Sequence, residues 1–332
     1  MQENLVFERR KRKAGIDILK GLCAILVILI HFPFLGIGGK IITIVARCAV
    51  PVFFMCSGFF LKKRDENNRA ILCKKLKHVG KIITFSVILY ILYTIYCNGI
   101  EYVVSEINIL NLLKLFVFNA PQISSMHLWF LFALFYSYIL YFAICKLNLQ
   151  KYKLGIAAMG LAVNLMVREV ALALGMDILP QFVRNAYFFG LPFFILGTQI
   201  RDSEKELQTL RTSKCVAIAI IGLVLSVLEN KFLGDYTLEL SVGTIVFAIC
   251  IFVLALRYSG NGLLKLEYLG ENCSLYIYVI HFIVGTMVFK LIPMNAGGLW
   301  IDTILTVVIS VLISIILSLI INRLKSVGKG VR

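Results

Sequence analysis

Ten stretches of this 332-residue chain run for some sixteen to twenty-four residues with few or no charged side chains, and they restrict what it can fold into. Hydrocarbon offers the backbone no water to bond with, so an apolar run crosses a bilayer as a helix that closes its own hydrogen bonds, about 20 residues for ~30 Å. By that measure spans are expected near 16–36, 41–61, 79–97, 127–146, 153–174, 185–200, 214–231, 239–257, 273–291 and 299–322. The run 107–118 carries Lys114 and is too short to cross, so it reads as a re-entrant or interfacial helix. With 60% hydrophobic and 16% charged residues and a mean hydropathy of +0.89, a soluble globular enzyme is excluded.

The expected fold class is therefore all-α and polytopic, about ten transmembrane helices around a polar cavity. One membrane domain fills 1–332, with a basic tail at 1–14, spans within 16–322 and a short tail at 323–332. Gly21–Gly39 lacks charge and is too long for a signal h-region, so the first span is read as uncleaved. The formal net charge of +16 does not point to nucleic acid, because the basic residues sit in short blocks between spans. Twenty-six Lys and Arg fall on the side of the N-terminal tail and five on the other, so both termini are expected in the cytoplasm. The largest block, within 62–81, serves orientation on anionic lipid or, more sharply, binding of a phosphorylated ligand.

Nine cysteines without a CxxC pair read as small apolar helix residues, and four well-separated histidines imply no metal. Ionisable residues inside spans carry more information, because each costs roughly 2.5–3.5 kcal/mol to insert. In the first span Lys20 and His31 are eleven residues apart, about three turns, which places them on one helix face some 16 Å apart along the axis. Asp17 lies on nearly the same face. A snorkelling Lys20 and a His31 bonded to a neighbouring helix would be the plainer account. Against it stand Arg47, His127, Arg168, Arg184 and Glu229, which the expected orientation places with His31 at the outer half of the bilayer. Together they suggest a functional cavity. His281, in the middle of the ninth span, suits either a packed histidine or a cavity wall.

These residues fall into motifs. Lys20-x10-His31 follows Gly15-Ile16-Asp17; Arg47, Pro51, Phe53, Phe54, Ser57, Gly58 and Phe59 form a second pattern. His127-Leu128-Trp129-Phe130-Leu131, Arg184-Asn185 with Phe188, Phe189 and Gly197, and a Ser-Leu-Tyr-x-Tyr-x-x-His run from Ser274 to His281 follow. In this order, over nearly the whole length, the chain resembles the acyltransferase-3 family of integral membrane acyltransferases.

The resemblance implies a plasma-membrane O-acyltransferase that moves an acyl group, usually acetyl, from cytoplasmic acetyl-CoA to a hydroxyl of an envelope glycan. Lys20 and Asp17 would then lie at the acyl-donor end, and His31 would be the general base or acyl carrier. Arg47 or Arg184 would stabilise the oxyanion. His127, Trp129, Arg168, Glu229 and His281 would line the acceptor cavity. The same motifs occur in the membrane domain of vancomycin-resistance serine racemases, which points alternatively to movement of serine or another small molecule. Those proteins continue into a large cytoplasmic racemase domain, and the end of this chain ten residues after the last expected span favours the enzyme.

Overall fold

The computed structural model describes residues 13–121, 126–176, 179–233, 238–258, 263–291 and 298–329. The basic segment up to Arg12 lies outside them. Among the described residues each expected span coincides with helix, and strands are absent. Seven helical segments among the described residues are long and apolar enough to cross a membrane unaided. The protein is an all-α polytopic membrane protein.

The first helix, α1, is Ala14–His31, and it stops five residues earlier than the expected span. Pro33 lacks an N–H to continue the ladder, and the chain restarts as α2, Gly36–Ala46. A turn at Arg47–Cys48 separates α2 from α3, Ala49–Phe59. Pro51 accounts for it, since it has no N–H to give the Arg47 carbonyl and is tolerated only in the first turn of a new helix. Helix α4, Arg69–Asn98, has 30 residues against the 19 expected. Asn68 caps its start through Oδ1, bonded to the N–H groups of Ala70 and Ile71 at 3.0 and 3.3 Å. At about 45 Å it outreaches the hydrocarbon, so the turns carrying Lys74, Lys75 and Lys77 extend beyond it. Gly99 ends it at φ +84°, a conformation that side chains disfavour.

Two short helices follow, α5 (Ile100–Glu106) and α6 (Ile109–Phe118). The second is the expected non-spanning helix; Ile109, Leu110, Leu113 and Phe116 are all exposed on it. Then come α7 (Trp129–Lys146), α8 (Lys153–Ala173), a π-turn at Ala186–Gly190, α9 (Leu191–Asp202) and α10 (Glu204–Thr209). The remainder is α11 (Thr212–Phe232), α12 (Val242–Arg257), α13 (Leu264–Tyr268), a π-turn at Leu269–Cys273, α14 (Ser274–Leu291) and α15 (Gly298–Lys329).

The chain forms two compact units, one of residues 1–52 with 205–332 and one of 53–204. In the first, α1 is held by α12, α13 and α14, and α11 pairs with α12. Ser226 on α11 meets Ser241 and Thr244 of the α12 N-terminus at 3.0 and 2.9 Å, a buried hydroxyl cluster. In the second, α7 and α9 pack with the π-turn at 186–190 and with the second half of α3. Gly58 faces the Phe194 carbonyl and Gly197 faces the Met55 carbonyl, so the two backbones touch reciprocally and neither glycine has room for a Cβ. Gly197→Ala is expected to cost about 2 kcal/mol and to lower the melting temperature in detergent, because the backbone it meets cannot swing aside as a side chain would.

Candidate functional site

The first unit assembles its ionisable residues along α1. At one end Lys20 Nζ donates to Asp17 Oδ1 at 2.9 Å, an ion pair one turn long on the face the sequence spacing gives. The Asp17 side chain is 7% exposed and that of Lys20 21%, so the carboxylate is the buried partner and the ammonium the accessible one. Gly270 makes this packing possible, because any Cβ there would collide with the Asp17 carbonyl.

At the other end His31 closes α1, and its ring stands 5.2 Å from that of His281 at an interplanar angle of 41°. Phe282 packs edge-on against His31 at 5.9 Å. His281 is fully buried on α14. Its Nδ1 lies 2.8 Å from the Tyr278 carbonyl and 3.1 Å from that of Ile277. Carbonyls only accept, so Nδ1 carries the hydrogen and the lone pair of the neutral ring is on Nε2. The structure thus brings together Asp17 with Lys20, and His31 with His281, within one unit.

Arg47 in the same unit makes an ion pair through Nη1 with Glu239 Oε2 at 2.8 Å. Both side chains are largely buried, at 11% and 13% exposure, so the guanidinium is held in place beside the start of α12. Glu229 has a different task. Its carboxylate accepts the N–H groups of Val242 and Gly243 at 3.2 and 2.9 Å and thereby caps α12, where a negative charge meets the positive end of the helix dipole.

In the second unit His127 is buried, 4.7 Å from the ring of Tyr90 in an edge-to-face contact. Trp129 packs against Phe189 at 5.4 Å and Phe54 at 6.2 Å. Arg184 and Arg168 are both half-buried. Asn185, next to Arg184, organises its surroundings: Oδ1 accepts from Tyr187 and Phe188 N–H, and Nδ2 donates to the Gln181 and Phe182 carbonyls. Asn119, just past the end of α6, and Asn164 on α8 join, bonding Ala186 N–H at 2.9 Å and the Val183 carbonyl at 2.7 Å. These three buried asparagines fix the segment around Arg184, and of them only Asn185 stands out in sequence.

Two further features escape sequence reading. One is a charged cluster in the second unit, where Arg201 bonds Glu66 at 2.6 Å, Asp202 at 2.7 Å and the Leu61 carbonyl. Lys153 reaches Asp202 at 2.5 Å and Tyr141 donates to Glu66 at 2.8 Å. The other is on α15, where Asp302, Thr306, Ser310, Ser314 and Ser318 recur every fourth residue and are all buried. Asp302 escaped notice because it precedes a long apolar run near a helix start, where an acid is ordinary.

These features define an all-α integral membrane protein with buried polar clusters within each of its two units. The acyltransferase domain family matches residues 13–323, and the chain belongs to that family, acyltransferase-3. Two curated relatives are amino-acid racemases of Enterococcus faecalis. One is 32% identical over 207 residues, 57% of this chain and 28% of the relative. The other is 36% identical over 131 residues, 36% of this chain and 18% of the relative. The chain thus spans less than a third of the length of these relatives. No solved structure matches it.

The Glu66–Arg201–Asp202–Lys153 cluster yields a pH-dependent expectation. Burial works to raise the Asp202 carboxyl, but hydrogen bonds and charge from Lys153 and Arg201 outweigh it and hold Asp202 below the usual carboxylate range. Its contribution is complete above the unfolded carboxylate value of about 4 and is lost as pH falls through the depressed folded value. Asp202→Asn should therefore flatten the acid limb of the melting-temperature profile. Arg201→Ala, which removes the cation bonded to Glu66 and leaves Asp202 with Lys153, should lower stability at neutral pH by about 2–3 kcal/mol.

Proposed function

We propose that the protein is a membrane-bound O-acyltransferase, moving an acetyl group from cytoplasmic acetyl-CoA to a hydroxyl of an extracytoplasmic envelope glycan. The observation that carries this reading is the arrangement of α1 in a member of the acyltransferase-3 family. The helix bears an accessible cation at one end and half of a histidine pair at the other.

The charged nucleotide of the donor stays outside the hydrocarbon, where its phosphates meet Lys20, since burying them would cost more than any contact returns. The pantetheine arm extends along α1 towards His31. There the acceptor hydroxyl attacks the thioester carbonyl, a C–O bond forms, and His31 takes the hydroxyl proton. The tetrahedral oxyanion is met by positive charge, for which Arg47, oriented by Glu239, is placed in the same unit. Collapse breaks the C–S bond, and the imidazolium returns its proton to the departing thiolate. An alternative order, with acetyl first carried on His31, uses the same groups.

The racemase relatives favour a second reading, transport of serine or a similar small molecule. The two readings differ in the ligand they need. Acetyl-CoA binding that weakens with salt supports the transferase. Serine uptake by proteoliposomes, with no acetyl-CoA binding in calorimetry, supports the transporter and sinks the transferase.

The two ends of α1 should separate kinetically. His31→Ala is expected to abolish acetyl transfer in a folded, inserted protein. Lys20→Ala should raise the KM for acetyl-CoA about tenfold with kcat retained, the signature of lost binding shared by ground and transition states. A fall in kcat alone would remove Lys20 from the donor site.

The charge asymmetry of the loops supports a cytoplasmic location for both termini. A cysteine introduced in the C-terminal tail should resist impermeant maleimide in intact cells and react after permeabilisation.

A further inference from the structure

Helix α1 has a second face. Gly15, Ile18, Leu19 and Leu22 follow the i, i+3, i+4, i+7 spacing and share an arc of about 100°. Asp17, Lys20 and His31 centre about 180° from it, on the far side of the helix. At Gly15 the helix meets the end of α12 so closely that a Cβ would collide with the Ala255 carbonyl. Beside this contact lies an open cleft of about 210 Å³, its other walls formed by Leu254, Tyr258 and Leu263.

The lining is almost wholly apolar and gives water little to bond. The cleft takes about seven groups the size of a methylene, at roughly the 30 Å³ that a water molecule fills in the liquid. Leu22, Tyr258 and Leu263 are exposed at 42%, 40% and 45%, so a hydrocarbon chain can enter from the side. Tyr258 also caps the C-terminus of α12, where a ring with a hydroxyl suits the boundary between hydrocarbon and water. The rim at that level is positively charged. Arg257 bonds the Leu207 and Leu210 carbonyls and the Thr212 hydroxyl, none of which is negative. Lys265 is exposed two residues beyond Leu263, and Arg211 and Lys214 lie on either side of Thr212. Against these four cations the same segments carry Glu206 and Glu267, while Asp17 is engaged by Lys20.

We propose that the cleft seats one acyl chain of an anionic phospholipid, with the lipid phosphate at the Arg257–Lys265 rim. Apolar walls select the chain, and the excess of positive charge at headgroup level selects the phosphate. Such a lipid braces α1 against α12 from behind and leaves the face of Lys20 and His31 free. A chain destined for transfer has to reach His31 on the opposite face, so the occupant is a resident lipid and not the donor. The assignment is independent of whether the protein performs transfer or transport.

The test uses the purified full chain in detergent, with phosphatidylglycerol or phosphatidylcholine of the same acyl chains, and reads melting temperature and lipid retained in native mass spectrometry. Phosphatidylglycerol is expected to raise the melting temperature of wild type by about 4 °C and to stay bound, and phosphatidylcholine to do neither. Ala255→Leu and Leu22→Trp each put bulk into the cleft and should abolish both the adduct and the gain. Lys265→Gln, at an exposed position, should weaken phosphatidylglycerol binding about fivefold and leave the lipid-free melting temperature unchanged. Equal stabilisation of wild type by both lipids overturns the anionic headgroup. An undiminished adduct in whichever filled variant folds overturns the cleft, and loss of the lipid-free fold in both variants shows that it holds no space for a ligand. Displacement of the adduct by palmitoyl-CoA assigns the cleft to a long-chain donor and likewise overturns the proposal.

Discussion

Every polar group that enters hydrocarbon must find its partner inside the protein, and the arrangement of this molecule follows from how that demand is met. In most places it is met in full. Glu229 caps α12, Asn185 bonds four backbone groups, and Ser226, Ser241 and Thr244 close a ring of hydroxyls. Such contacts align helices that have no hydrophobic preference for one another over lipid, since packing and hydrogen bonding are what remain to drive their association. The glycine contacts between α3 and α9 serve the same end by bringing backbones close enough for dispersion to act.

Charge within the helical body is handled by pairing. Lys20 with Asp17, and Arg47 with Glu239, are neutral as pairs, which lowers the cost of burial while leaving each cation in a fixed place. A fixed cation is what a developing negative charge needs, because no reorganisation is required when it forms. His31 and His281 add an imidazole at the end of α1 beside one whose tautomer is set by the Tyr278 carbonyl. The Asp302 carboxylate, one residue before the Thr303 hydroxyl that donates to the Pro33 carbonyl, is buried without a hydrogen-bond partner among the described residues.

Membership of the acyltransferase-3 family and similarity to part of longer amino-acid racemases fit one physical picture. Helix α1 carries an ion pair near one end and half of a histidine pair at the other.

The sequence by itself determined the class of fold, because the length of an apolar run and the absence of water in hydrocarbon leave one secondary structure available. It also determined the face shared by Lys20 and His31, since helical periodicity is a local property. Boundaries were less legible. The break after His31 and the restart at Ala49 follow from Pro33 and Pro51, yet the extension of α4 back to Arg69 depended on an Asn68 cap outside the apolar window. Partnerships were illegible. That His31 meets His281, 250 residues away, that Glu229 is taken up by a helix end, and that Asp302 is buried were decided only by tertiary packing. The physical reason is that hydropathy and period fix which side of a helix is polar, whereas the rotation and depth of each neighbouring helix fix what that side touches.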